Sequence, residues 1–236
     1  TFSDTFNQCA ELDTEDYILF LHNDIVISEG FLENIHKHLQ EDTAVSYTTV
    51  EPPIFTEHQR PGKFVRDFGS DFWDFNNSTF SAFVKTQQDL YKDKTSEGIT
   101  FFMGLSRKVF TSIGGFDNLF TPMFCEDDDL IRRLTLIGIK QITSLDSLCY
   151  HFVSKTSRFS PEFKDTTRII EYYSNLNFLR KWGSAKKRYD IGVIIRDCNI
   201  EALRLLEPYH SSVYVDMDPT ETKPSDYIKQ HFGVEE

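Results

Sequence analysis

Cysteine is scarce in this chain, and the four present, Cys9, Cys125, Cys149 and Cys198, lie far apart. No C-x-x-C pair occurs, so neither a zinc knuckle nor a disulfide framework is indicated. The four read as buried thiols of a cytosolic protein. Long apolar runs are also missing: none approaches the roughly 18 residues of a membrane span. Basic residues are in deficit, with 25 Lys and Arg against 37 Asp and Glu and a formal net charge of −12. Nucleic-acid binding needs a basic face, so that class is disfavoured. The opening TFSDTFNQ has neither Met nor a signal pattern, and this start is not expected to be the natural one.

What the chain does have is aromatic mass, with 22 Phe and 10 Tyr among 236 residues. That length suits one domain, or one and part of another, and sustains a core without metal or disulfides. Most of the Phe are expected in that core, with some rings available where sugars or bases could stack. Tyr17 to Leu21 is a continuous apolar run, which reads as a strand buried on both faces, as in a parallel sheet. Phe31, Ile35 and Leu39 then fall at helical spacing. Ala44 to Val50 reads as a second strand, stopped by Glu51, Pro52 and Pro53. Phe64, Phe68, Phe72 and Phe75 approximate helical spacing, interrupted by Gly69 and ended by Asn76, Asn77 and Ser78; a short helix turned toward the core is expected ahead of an exposed ring platform.

Further on, Gly98 to Ser106 reads as a strand and Arg107 to Ile113 as a helix stopped by Gly114 and Gly115. Leu130, Leu134 and Ile137 make an apolar stripe behind Glu126, Asp127, Asp128 and Asp129. Ser147 to Phe152 reads as a strand carrying His151 near its end, and Arg168 to Arg180 as a helix. After Lys186, Lys187 and Arg188 a fresh β-α-β pattern begins. The expected organisation is a main domain over 1–183, a linker at 184–188 and a β-α-β unit over 189–236.

Three polar points follow strands or open a helix. Asp24 lies just beyond Tyr17–Leu21, His151 closes a strand, and Glu126 to Asp129 precede a helix, where carboxylates are favoured. In open α/β sheets the ligand crevice lies at the carboxyl ends of strands, so the three are expected to converge. A carboxylate and an imidazole suit Mn²⁺ or Mg²⁺. A second carboxylate could take a proton from a hydroxyl, and Lys155 and Arg158 could neutralise a phosphate leaving group.

The segment Tyr17 to Asp24 with Gly30, Phe31 and Leu32 resembles the metal-motif region of family 2 glycosyltransferases with the GT-A fold. Gly104 to Phe110, Ile113 to Asp117, and Glu126 to Leu130 with Arg133 are similar to that family's downstream signature. Tyr150, His151 and Lys181 to Gly183 extend the likeness, which covers roughly residues 7–183. The resemblance implies a GT-A-like, Rossmann-like, mixed but mainly parallel α/β sheet flanked by helices, lacking an N-terminal nucleotide-binding unit. It implies an inverting, metal-dependent transfer of sugar from a nucleotide-sugar to a hydroxyl of a glycan, lipid-linked glycan or protein, as in polysaccharide biosynthesis. On that resemblance Asp24 and His151 hold the metal, and Asp127 is the general base with Glu126 beside it. Asn23, Gly104, Lys155 and Arg158 would lie at the donor.

Acceptor residues are not assigned, beyond an expectation that they lie in 54–97. One departure is His22, which stands where the D-x-D motif has its first Asp. The expected location is cytoplasmic, peripheral to a membrane at most. Two other classes compete with transfer. One is a non-catalytic carbohydrate-binding or scaffolding relic; the other is a nucleotidyltransferase or nucleotide-sugar hydrolase.

Overall fold

The protein is described by a computed structural model covering residues 1–12, 14–54, 60–153, 160–186, 189–196 and 200–216. It divides into two compact units, Thr1–Ser174 and Asn175–Glu236. In the first, helix α1 (Phe2–Glu11) is capped by Thr1. Phe2, Phe6 and Ala10 recur every four residues along it and pack on a core of Phe20, Phe101, Phe110, Phe116 and Leu130. Strands β1 (Tyr17–Leu19) and β2 (Ile25–Ile27) follow, then α2 (Phe31–His36), β3 (Thr43–Glu51) and β4 (Lys63–Val65). Next come α3 (Asn77–Tyr91), β5 (Thr95–Glu97), β6 (Met103–Ser106) and α4 (Arg107–Ser112). Helix α5 (Glu126–Leu136), strand β7 (Lys140–His151) and helix α6 (Thr167–Trp182) complete the run, the boundary between the units falling inside α6.

The main sheet runs β1-β6-β3-β7-β2, with β4 also on β3 and β5 also on β7. This corrects the expected mainly parallel, Rossmann-like GT-A sheet. Only β3–β4 and β3–β7 are parallel, whereas β1–β6, β2–β7, β3–β6 and β5–β7 are antiparallel. The sheet also curls into a half-barrel instead of lying open and flat. The physical reason is that a continuous apolar run encodes burial on both faces but carries no direction. Tyr17–Leu21 meets that pattern, yet β1 is three residues long and pairs with β6 in the opposite sense.

Other local readings change: of the strand expected over Gly98 to Ser106 only Met103–Ser106 forms. The Phe64–Phe75 segment forms no helix: Phe64 lies in β4, Phe68 is buried in a loop, and Phe72 is 66% exposed. Asn76, taken from the sequence as a stop, is instead the N-cap of α3, its side-chain oxygen accepting from the Thr79 N–H at 3.2 Å. The same residue types that end one segment begin the next helix by satisfying its orphan donors. Replacing Asn76 by Ala is expected to lower stability by about 1 kcal/mol, read as a reduced urea midpoint at unchanged slope.

In the second unit, β8 (Tyr189–Arg196), α7 (Ile200–Leu206) and β9 (His210–Asp216) form a β-α-β unit whose two strands pair in parallel. Among the described residues, no helix is long and apolar enough to cross a membrane.

Candidate metal centre

Four strand ends meet at one edge of the main sheet. β3 and β7 are parallel neighbours, so their last residues, Glu51 and His151, emerge side by side. β2 runs antiparallel to β7 with Ile25 opposite His151, and the Asp24 carbonyl accepts from the Phe152 N–H at 3.0 Å. That register brings Asp24 to the end of β7. β4 starts beside the end of β3 and delivers Lys63. His22 comes from the β1–β2 connection, whose Phe20 carbonyl is held by the Tyr47 hydroxyl at 2.8 Å.

His22, Asp24 and His151 each offer a ligand atom, and these atoms lie within 4.8 Å of one another. The Asp24 Oδ1 is the shared point, 3.5 Å from His151 Nε2 and 3.7 Å from His22 Nδ1. Ligands about 2.0–2.2 Å from one ion stand roughly 3–3.5 Å apart, close to these separations. The cluster can therefore hold a divalent metal ion. A second ring of contacts orients it. Glu51 Oε1 lies 3.0 Å from His151 Nδ1, and Lys63 Nζ lies 2.6 Å from Glu51 Oε2. A carboxylate only accepts, so Nδ1 carries the proton and Nε2 faces Asp24. This carboxylate–imidazole arrangement is the one that presents a histidine nitrogen to a metal.

The protonation states fit the same purpose. Burial, with the neighbouring His151, pushes His22 down to about 4, against the opposing pull of Asp24. His22 is thus neutral at physiological pH. Its Nε2 is buried and has no hydrogen-bond partner among the described residues, an incomplete environment for an imidazole. Burial also opposes charge on His151, but its bonds to Asp24 and Glu51 outweigh that and raise it above the ordinary histidine value. For Glu51, burial acts upward, and the bonds to His151 and Lys63 more than reverse it, so its carboxyl stays ionised. Aromatic rings close one side: Phe101 and Phe102 stand 4.4 and 4.9 Å from the His22 ring, and Phe102 is 4.8 Å from His151.

Two predictions arise from this wiring. Removing the charge at Glu51 by Glu51→Gln should weaken Mn²⁺ binding about 10–100-fold, measured by titration of the free ion. In wild type, His151 must lose a proton to bind metal, whereas His22 is already neutral. Apparent affinity should therefore rise about tenfold per pH unit until the raised His151 value is passed, then level off, with about one proton released per ion. A calorimetric series in buffers of different ionisation enthalpy reads that proton directly.

The remaining residues expected at the site occupy other positions. Asn23 is exposed between His22 and Asp24. Gly104 is buried in β6 between β1 and β3, where an added Cβ would come 3.2–3.3 Å from Leu39, Leu19 and the Ile18 carbonyl. Close strand packing accounts for its missing side chain. Glu126 and Asp127 open α5 behind Phe124 and Cys125, both in the left-handed region at φ 75° and 70°. Glu126 is buried and Asp127 half-buried. They are not members of the metal cluster. The Phe2 N–H donates to the Pro122 carbonyl at 3.3 Å, and the Phe2 ring stands 6.0 Å from His22. Asp129 is fully buried and bound by Arg133 Nε at 2.9 Å, an i,i+4 pair inside α5. Lys155 and Arg158 lie outside the described residues.

Glu51 and Lys63 were missed from the sequence. Glu51 stands at a strand end just before two prolines, the same positional signal that marked Asp24 and His151. Lys63 carried no signal, because β4 is only three residues long.

No family model and no curated protein matches this chain. The mostly antiparallel, curled sheet corrects the expected GT-A, family 2, nucleotide-sugar framing, whose supporting architecture is a different sheet. What the fold and site define is an α/β domain with a candidate divalent-metal centre at one sheet edge.

Proposed function

We propose that this chain is a metal-dependent glycosyltransferase, moving a sugar from a diphosphate leaving group to an acceptor hydroxyl with inversion. The observation that carries the reading is the His22–Asp24–His151 cluster, backed by the ordered Glu51–Lys63 pair. Of the two ions expected from the sequence, two imidazole donors favour Mn²⁺ over Mg²⁺, which prefers oxygen ligands and water. When bound, the ion supplies charge neutralisation for the departing diphosphate.

The chain's own groups do the rest. Glu51 and Lys63 hold His151 in one tautomer, and Phe101 and Phe102 exclude water beside His22. Asp127 takes the proton from the acceptor hydroxyl as its oxygen attacks the anomeric carbon. The bond from that carbon to the phosphate oxygen breaks, and its electron pair leaves with the diphosphate. Acceptors of this chemistry are hydroxyls of glycans, lipid-linked glycans or proteins.

The test needs no known acceptor, since water serves slowly in its place. The chain is incubated with Mn²⁺ and a panel of diphosphate-linked hexoses and N-acetylhexosamines, and the released sugar is followed by NMR. Metal-dependent release of one sugar in the inverted anomeric form is expected, abolished by EDTA. Release of the retained anomer, or no metal-dependent release from any donor, would contradict the reading.

A further inference from the structure

The loop from Asp67 to Asn76 carries the two most exposed aromatic residues among those described, Phe72 at 66% and Trp73 at 89%. Their rings stand 5.4 Å apart, edge to face. An exposed tryptophan on a mobile loop would mean little, but this loop is tied down at many points. The Asp74 carboxylate accepts from Ser70 N–H at 3.1 Å, Ser70 Oγ at 2.9 Å and Asp71 N–H at 2.6 Å. Asp71 Oδ1 accepts from Phe72 N–H at 2.6 Å, and Asn76 N–H closes the loop onto the Phe68 carbonyl at 2.6 Å. Gly69, at φ 133°, lets the two arms touch: an added Cβ would fall 2.7 Å from Phe75 Cα.

The base of the loop is clamped by Tyr150, the residue before His151. The Tyr150 hydroxyl donates to the Gly69 carbonyl at 2.7 Å and accepts from Phe68 N–H at 3.1 Å. Phe75 stacks on Tyr150 and Phe152 at 5.1 and 5.7 Å. The aromatic turn is therefore anchored to the strand end that presents the candidate metal ligand, on the β7 side chain of opposite facing.

The chemistry of the turn narrows what it takes. Asp67, Asp71 and Asp74 are all exposed beside the rings, and this field repels nucleic acid and anionic lipid. The nearest cation in sequence, Arg66, is stacked over Phe83 at 4.8 Å. Exposed, electron-rich ring faces suit a ligand that presents polarised C–H groups, and the carboxylates beside them can accept hydrogen bonds from its hydroxyls. The C–H face of a pyranose ring is such a ligand.

We propose that the Phe72–Trp73 turn is an acceptor platform on which an uncharged pyranose of a glycan stacks. This rests on the reading of the chain as a glycosyltransferase and names the acceptor class of that reaction.

The test measures glycan binding alone, without metal or donor, so that it is independent of turnover. The labelled full chain is applied to an array of neutral oligosaccharides built from glucose, mannose, galactose and N-acetylglucosamine, and to phosphatidylcholine vesicles. Binding to at least one neutral glycan is expected, weakened tenfold or more by Trp73→Ala and substantially kept by Trp73→Phe. Mn²⁺ binding should be the same in all three proteins, which shows the variants folded. Absence of binding across the array, equal binding by Trp73→Ala, or Trp73-dependent binding to vesicles alone would overturn the platform. Glycan binding through Trp73 in a chain that never releases sugar from any donor would keep the turn as a glycan-binding platform and overturn both its acceptor role and glycosyl transfer.

Discussion

Asp24→Ala is expected to reduce Mn²⁺ affinity more than about 100-fold, beyond the range seen when only an outer orienting group is lost. Asp24 Oδ1 is the point common to both histidines, at 3.5 Å from His151 and 3.7 Å from His22. Without it, two imidazoles remain with no carboxylate between them, one of them already engaged by Glu51. The fold should survive, because the Asp24 contact that joins β2 to β7 is made by its backbone carbonyl. Metal titration beside a urea melt separates the two effects. Retained Mn²⁺ affinity in a folded Asp24→Ala protein would move the metal elsewhere.

The second large effect is expected at Asp127. Asp127→Asn keeps the size of the side chain and removes its basicity, so turnover should fall by about 10²–10⁴. Metal binding should be unchanged, since Asp127 lies at the start of α5 and outside the His22–Asp24–His151 cluster. Stability should fall by no more than about 0.3–1 kcal/mol, the worth of a carboxylate charge at a helix N-terminus. Sugar release in the metal-dependent assay is the readout. A variant with undiminished release would remove Asp127 from the reaction and leave the metal centre as the whole of the chemistry.

The candidate site was more legible in the sequence than the sheet that carries it. Asp24 and His151 stood out because polar groups just past apolar runs fall at strand ends, where neighbouring strands gather them. His22 was visible only as a departure from a motif, yet its half-buried, neutral ring joins the cluster. Glu51 obeyed the same strand-end rule and was hidden by its role as a strand stop before Pro52 and Pro53. Strand direction was not legible, because it is set by connections and pairing, and the apolar run at Tyr17–Leu21 contains neither. The Phe-rich middle segment misled for a related reason. Phe64, Phe68, Phe72 and Phe75 share a near-helical spacing, but Gly69 and the Asp74 hydrogen bonds bend the chain into a loop that buries Phe68 and exposes Phe72.

The most direct test of the metal centre is electron spin-echo envelope modulation of the Mn²⁺-loaded chain, which counts directly bound nitrogens. Two histidine nitrogens are predicted in wild type, falling to one in His22→Ala and one in His151→Ala. Bound Mn²⁺ with no nitrogen coupling, or with couplings unchanged in both variants, would contradict the assignment of His22, Asp24 and His151 as the metal site.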